Sequence, residues 1–129
     1  MMGELVGMRR VMIAAGLLGI AIAPAQAHDW RSVTKANYGE FSVDLKGATW
    51  ARRVVTYQTL YQIAHPRARL DHTISTSKID CQTRRRTGVY ATEYYRDGKK
   101  HGGSINGGWR PIYPGSASDQ IRHMLCGAD

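Results

Sequence analysis

Cys81 and Cys126 are the residues whose type most restricts the chemistry open to this chain of 129 residues. A thiol pair can supply a nucleophile, part of a metal site or a disulfide, and the compartment decides among them. The chain opens with an export pattern: Met8-Arg9-Arg10, the apolar run from Val11 to Ala23, then Pro24 and Ala25-Gln26-Ala27, small residues where a signal peptidase reads. The run is short for a bilayer span and no stop-transfer pattern follows, so the reading is a cleaved leader at residues 1–27 and an exported domain at 28–129. Met8 is an alternative start, because Glu4 suits a positive leader poorly. In an oxidising compartment the two cysteines are most simply one structural disulfide, the alternatives being two free thiols or a bridge between chains.

Five histidines, His28, His65, His72, His101 and His123, invite a metal reading. No two fall at i, i+4 on the one expected helix, and HExxH is missing. His28 would begin the processed chain, where an amine and an imidazole bind copper or nickel weakly. The expectation is solvated histidines, no metal and no cofactor. His101-Gly102-Gly103 has the look of an oxyanion-hole loop, but the Gly-x-Ser-x-Gly elbow that such a loop serves is absent. Asp44, Asp80 and Glu93 read as strand-end or solvated carboxylates rather than a glycosidase pair. The expectation is therefore no enzyme. A periplasmic hydrolase or metal carrier ranks last among the functional readings.

Charge offers a better lead. Without Arg9, Arg10 and Glu4, the 18 basic and 10 acidic residues become 16 and 9, a net charge of +7 on 102 residues. That is one domain, with a basic surface suited to acidic lipids, sulfated polysaccharides or acidic protein faces, or simply to solubility. No zinc finger, helix-turn-helix or aromatic RNA-binding motif accompanies the charge, so nucleic acid is not expected. The densest run is Arg84-Arg85-Arg86.

The elements that must hold these residues read mostly as strands. Trp30–Val33 and Glu40–Leu45 come first, the latter with Phe41, Val43 and Leu45 on one face. Arg52–Ala64 is the longest run, with Val55, Tyr57, Thr59, Tyr61 and Ile63 together, and Pro66 ends it. Thr73–Arg86 alternates so that Ile79, Cys81 and Thr83 face a core and Lys78, Arg84 and Arg86 face water; Arg85 would cover the helix edge. Gly88–Arg96 follows, closed by the Asp97-Gly98 hairpin signal, with His101–Asn106 as a Gly-rich edge. Lys99 and Lys100 at the tip would extend the positive region, and Tyr94 and Tyr95 would add flat adhesive area. The same charges also guard strand edges against aggregation. Pro114-Gly115, then Ser116 and Asp119 as a capping pair, predict a helix over about 117–126, with Ala117, Ile121, Met124 and Leu125 on one stripe and Cys126 at its margin. Trp30, Phe41, Trp50 and Trp109 are expected to build or flank the core. The economical architecture is α+β: an antiparallel sheet of about five to six strands, clamped to a C-terminal helix by Cys81–Cys126.

An ordered set of segments carries a family resemblance: Trp30, Gly39–Asp44, Arg52–Tyr61, Lys78-Ile79-Asp80-Cys81 with its trailing arginines, Tyr90, Tyr94 and Tyr95, and Trp109–Ser116 leading to Cys126. With these, the chain resembles the surface-adhesin protein E-like family of bacterial exported domains. The resemblance implies an antiparallel sheet carrying a C-terminal helix tied to it by a disulfide. It also implies binding of host matrix or serum proteins, and homodimers. This chain differs from the family's founding lipoprotein in having no cysteine at the cleavage point. The expected function is a non-enzymatic binding domain, periplasmic or secreted, for a protein or anionic polysaccharide ligand, with no membrane span. The alternative is an accessory envelope protein with a bacterial partner. The candidate contact residues are Lys78, Arg84, Arg86, Lys99, Lys100, Tyr94 and Tyr95.

Overall fold

The computed structural model describes residues 27–127; the expected leader up to Gln26 lies outside the described residues. The architecture is the expected one, a single antiparallel sheet with one C-terminal helix. Its main path is a meander of β1 (Trp30–Ala36), β2 (Gly39–Asp44), β4 (Val54–Ile63), β5 (Leu70–Asp80), β6 (Arg85–Tyr95) and β7 (Lys100–Ser104), each beside its predecessor. Two short strands complete it: β3 (Thr49–Ala51) pairs with the start of β4, and β8 (Arg110–Pro111) pairs with the start of β6. The helix, α1, spans Ala117–Cys126.

Alternation in β4 decides which face is buried. Val55, Tyr57 and Thr59 point to one side and pair in register with Ile79, Ser77 and Ser75 of β5. Ile121 of α1 closes over that side, so Val43, Val55, Tyr57, Ile79 and Ile121 form the buried apolar cluster among the described residues. Phe41, Leu45, Ile112 and Leu125 pack around it. This core is small, and a small core leaves little margin against chain entropy. The Cys81–Cys126 disulfide, with Cα atoms 5.8 Å apart, staples the helix end to the sheet.

Both ends of α1 follow their sequence signals. Ser116 caps the N-terminus, its Oγ accepting from the Asp119 N–H at 3.1 Å, and the Asp119 carboxylate accepts from the Gly115 N–H at 2.9 Å. At the other end the Gly127 N–H donates to the His123 carbonyl, with Gly127 at φ 88°, a left-handed conformation that suits glycine. The buried stripe differs from the expected one. Met124 is 40% exposed, while Arg122 and Asp119 turn inward as a pair, Arg122 Nη2 donating to Asp119 Oδ1 at 2.9 Å. In this orientation Cys126 meets Cys81 on the sheet, and the Asp119 carboxylate neutralises Arg122 inside.

The expected single strand over Thr73–Arg86 is two strands with a turn at 81–84. Asp80 makes that turn: its Oδ1 accepts from the N–H groups of Gln82 and Thr83, and its carbonyl accepts from the Arg84 N–H. Arg84 then takes the left-handed conformation, φ 56°, with no glycine to mark it. Trp50 and Trp109 also depart from expectation, lying 51% and 42% exposed on or beside the short edge strands rather than in the core. The Asp97-Gly98 turn forms as its sequence signals, with Gly98 at φ 91° and the Lys99 N–H donating to Asp97.

Candidate binding surface

Because α1 covers one face of the sheet, the other face is the natural place to look for a partner surface. Register assigns to it Val54, Thr56, Gln58 and Leu60 of β4, and Ile74, Thr76, Lys78 and Asp80 of β5. It also holds Arg85, Thr87, Tyr90, Thr92 and Tyr94 of β6. Lys100 and Gly102 of β7 continue it. The surface is rich in threonine and different at its two ends.

One end is basic. Cys81 N–H donates to the Arg53 carbonyl at 3.0 Å, which brings the β3–β4 turn, with Arg52 and Arg53, against the β5–β6 turn. Arg52 and Arg84 share the left-handed conformation, φ 59° and 56°, so each turn tightens through an arginine. Val54, Asp80 and Arg85 lie side by side on successive strands, with Lys78 one step behind. Asp80 is the carboxylate at their centre. Its Oδ1 already accepts two backbone N–H groups and sits 3.5 Å from Arg53 Nε. Those turn N–H groups, Thr83 first, lower its pKa, with Arg53 adding to the effect. Asp80 is therefore ionised at neutral pH, yet it offsets only one of the surrounding cations.

The other end is aromatic. The His72 and Tyr94 rings stack at 4.4 Å and 12°, and Tyr94 lies opposite Lys100 in register. Tyr90 lies across the edge strand over Gly102, where an added Cβ would come 2.5 Å from the Tyr90 hydroxyl. Glycine at 102 is what lets that ring lie flat.

The sequence-derived candidates separate on this geometry. Lys78, Tyr94 and Lys100 share the helix-free face, but Lys78 is six residues along β5 from His72, about 20 Å. Arg84 is an exposed turn residue at the basic end. Arg86 is a correction: it pairs with Ile79 on the core side and hydrogen-bonds the buried Tyr57 hydroxyl, so it does not point to water beside Lys78. Arg85 takes the exposed place instead, because the turn at 81–84 resets the alternation. Burial raises the pKa of Tyr57, and Arg86 and Ser77 oppose that rise. Tyr95 turns to the opposite face from Tyr94 and donates its hydroxyl to Glu93 at 3.0 Å. There it helps line a shallow depression of about 260 Å³ with Ala68, Arg69, Arg96 and Asp97. Lys99 and Lys100 stand at the far end of β6 from Arg85, about 30 Å away, and so do not extend the same positive patch. Arg52, Arg53 and Tyr90 were missing from the sequence-derived set. The readable signal was the adjacent Arg52-Arg53 pair at the entrance to the longest strand, which an antiparallel neighbour must bring beside Arg84-Arg85.

Of the histidines, His28 engages the buried Asp44 carboxylate through Nδ1 at 2.6 Å and stacks on Trp30. Among the described residues no three of His, Cys, Asp or Glu gather as a metal site, and no helix is long and apolar enough to cross a membrane.

A meander with a disulfide-tied helix on one face, and with cations and ring systems on the other, makes a small α+β domain. The chain belongs to the surface-adhesin protein E family, whose model matches residues 30–127, nearly all of the described chain. Membership makes this an exported, adhesin-like domain at the coarse level. Searches of curated proteins and of solved structures return no match.

Proposed function

We propose that this chain is a non-enzymatic binding domain that engages a host matrix or serum protein, or an anionic polysaccharide, outside the cytoplasm. The observation that carries the reading is the helix-free sheet face, where arginines from two turns meet Lys78 at one end and Tyr90, Tyr94 and His72 line the other. Guanidinium groups grip carboxylates and sulfates through two prongs, and tyrosine rings add contact area at low entropic cost. A rigid scaffold stapled by a disulfide presents this surface without paying to order it at each encounter.

Surface labelling of intact cells, followed by binding of the exported protein to immobilised matrix and serum proteins, tests the reading. Adhesion requires that the chain be labelled from outside and retained by at least one such ligand. A chain confined to the periplasm would instead be an accessory envelope protein, and crosslinking in its own cells would identify the bacterial partner.

A further inference from the structure

We propose that the helix-free face is a track for a sulfated polysaccharide, with sulfates held between Arg53, Arg85 and Lys78 and sugar rings laid toward Tyr90 and Tyr94. The proposal rests on the binding-domain reading and names its ligand class and site. Three features of the face select this occupant. First, the cations come from separate segments that the sheet sets side by side: Arg53 beside Val54, then Asp80, then Arg85 on successive strands. Arg53 is 58% exposed, so its fork is open to solvent even while it leans toward Asp80. Asp80 spends its Oδ1 on two backbone donors, leaving the cluster with a surplus of positive charge.

Second, the face runs lengthwise. About 20 Å of strand separates Lys78 from the His72–Tyr94 stack, and the stretch between is threonine-rich, with Thr56, Thr76, Thr87 and Thr92. That is a path for an extended chain rather than a socket for a small molecule. The depression of about 260 Å³ lies elsewhere, beside Tyr95. Third, the centre of a protein–protein interface is depleted in charge and filled by apolar anchors. Here the middle of the face is threonine-rich and its apolar Leu60 and Ile74 are half-buried, so it presents no exposed aliphatic anchor, while Arg53, Arg85 and Lys78 gather at one end. Charge complementarity therefore favours a polyanion over a protein partner.

The test titrates the purified exported protein with a size-defined heparin oligosaccharide, its desulfated counterpart and a neutral glucan, at low and at physiological salt. Two variants carry the same change in net charge: Arg53→Glu/Arg85→Glu on the track, and Arg67→Glu/Arg69→Glu in the connection between β4 and β5. The heparin oligosaccharide should bind, more weakly as salt rises; the desulfated chain, which keeps its carboxylates, should bind at least about tenfold more weakly, and the neutral glucan should not bind. The track variant should lose at least about tenfold in affinity, while the connection variant stays within about twofold. Thermal midpoints check folding, and Arg53→Gln/Arg85→Gln, which removes the charges without reversing them, should show a smaller loss in the same direction. Equal losses in both Glu variants would reduce the effect to net charge and overturn the site. Undiminished binding in the track variants overturns it also. A wild-type protein that ignores heparin but captures an acidic protein overturns the ligand class, while the binding-domain reading stands.

Discussion

Asp44 shows how much one residue can hold. Its carboxylate is 1% exposed and accepts from the N–H groups of Asp29 and Lys46 at 2.9 and 3.0 Å, while His28 Nδ1 lies 2.6 Å away. Burial by itself raises the pKa of this carboxyl, but the donors of Asp29, His28, Gly47 and Lys46 together outweigh it, and the net shift is downward. Asp44→Ala leaves several donors unsatisfied at a buried point and should cost about 3 kcal/mol, read as a shift in denaturant midpoint. The pH dependence has a definite sign. A carboxylate with a lowered folded pKa contributes stability that is complete above the unfolded value of about 3.9 and is lost as pH falls through the folded value. Asp80 and Asp119 are shifted in the same direction, mainly by backbone donors from Thr83 and Gly115. Thermal melts from neutral pH downward should stay flat to about pH 5 and then fall, and Asp44→Asn should shrink that acid-side loss.

At the scale of elements, the helix depends on its staple. Its core contribution is chiefly Ile121, with Leu125 at the margin, and Arg122 beside it is an ion rather than an apolar anchor. In the chain-entropy account, a bridge spanning 45 residues contributes about 4 kcal/mol, a large share of the ~5–15 kcal/mol typical of a domain. Cys81→Ser should therefore lower the denaturant midpoint sharply. Thiol titration of the unfolded, unreduced wild type should find no free thiol, and two per chain would contradict the bridge. The edge strand makes a separate prediction. Gly102→Val places a side chain where the Tyr90 ring now lies, so it should lift that ring and change tyrosine fluorescence or ring NMR shifts with little loss of stability.

For the whole molecule, processing and folding should meet at His28. Asp29 is tied into the domain, its N–H donating to Asp44 and its carbonyl accepting from the Leu45 N–H at 3.1 Å. Ala25-Gln26-Ala27, shortly before it, supplies the small residues that a signal peptidase reads. The intact mass of protein from the exported fraction should correspond to a chain starting at His28. A mass that still includes Leu17-Leu18 would make the leader an anchor.

Sequence periodicity was enough for the three longer strands between Trp30 and Ile63, though not for the short β3 or the turn at Arg52-Arg53, and for the Asp97-Gly98 hairpin and the capped helix, because each depends on neighbours within a few residues. The cysteine pair likewise needed only compartment and parity. The turn at 81–84 hid because it contains no glycine or proline: Asp80 supplies its acceptors and Arg84 carries the left-handed angle. Missing that turn put Arg86 on the wrong face, since the turn inverts the alternation until a register shift between Gly88 and Tyr90 restores it. The binding surface was still less legible. Arg53 and Arg85 are 32 positions apart in the chain, yet strand pairing sets them around one carboxylate. Residue types and their local order are written in the chain itself. Which cations meet, and which of two faces they share, is decided by register and by the face the helix closes, both long-range outcomes of packing.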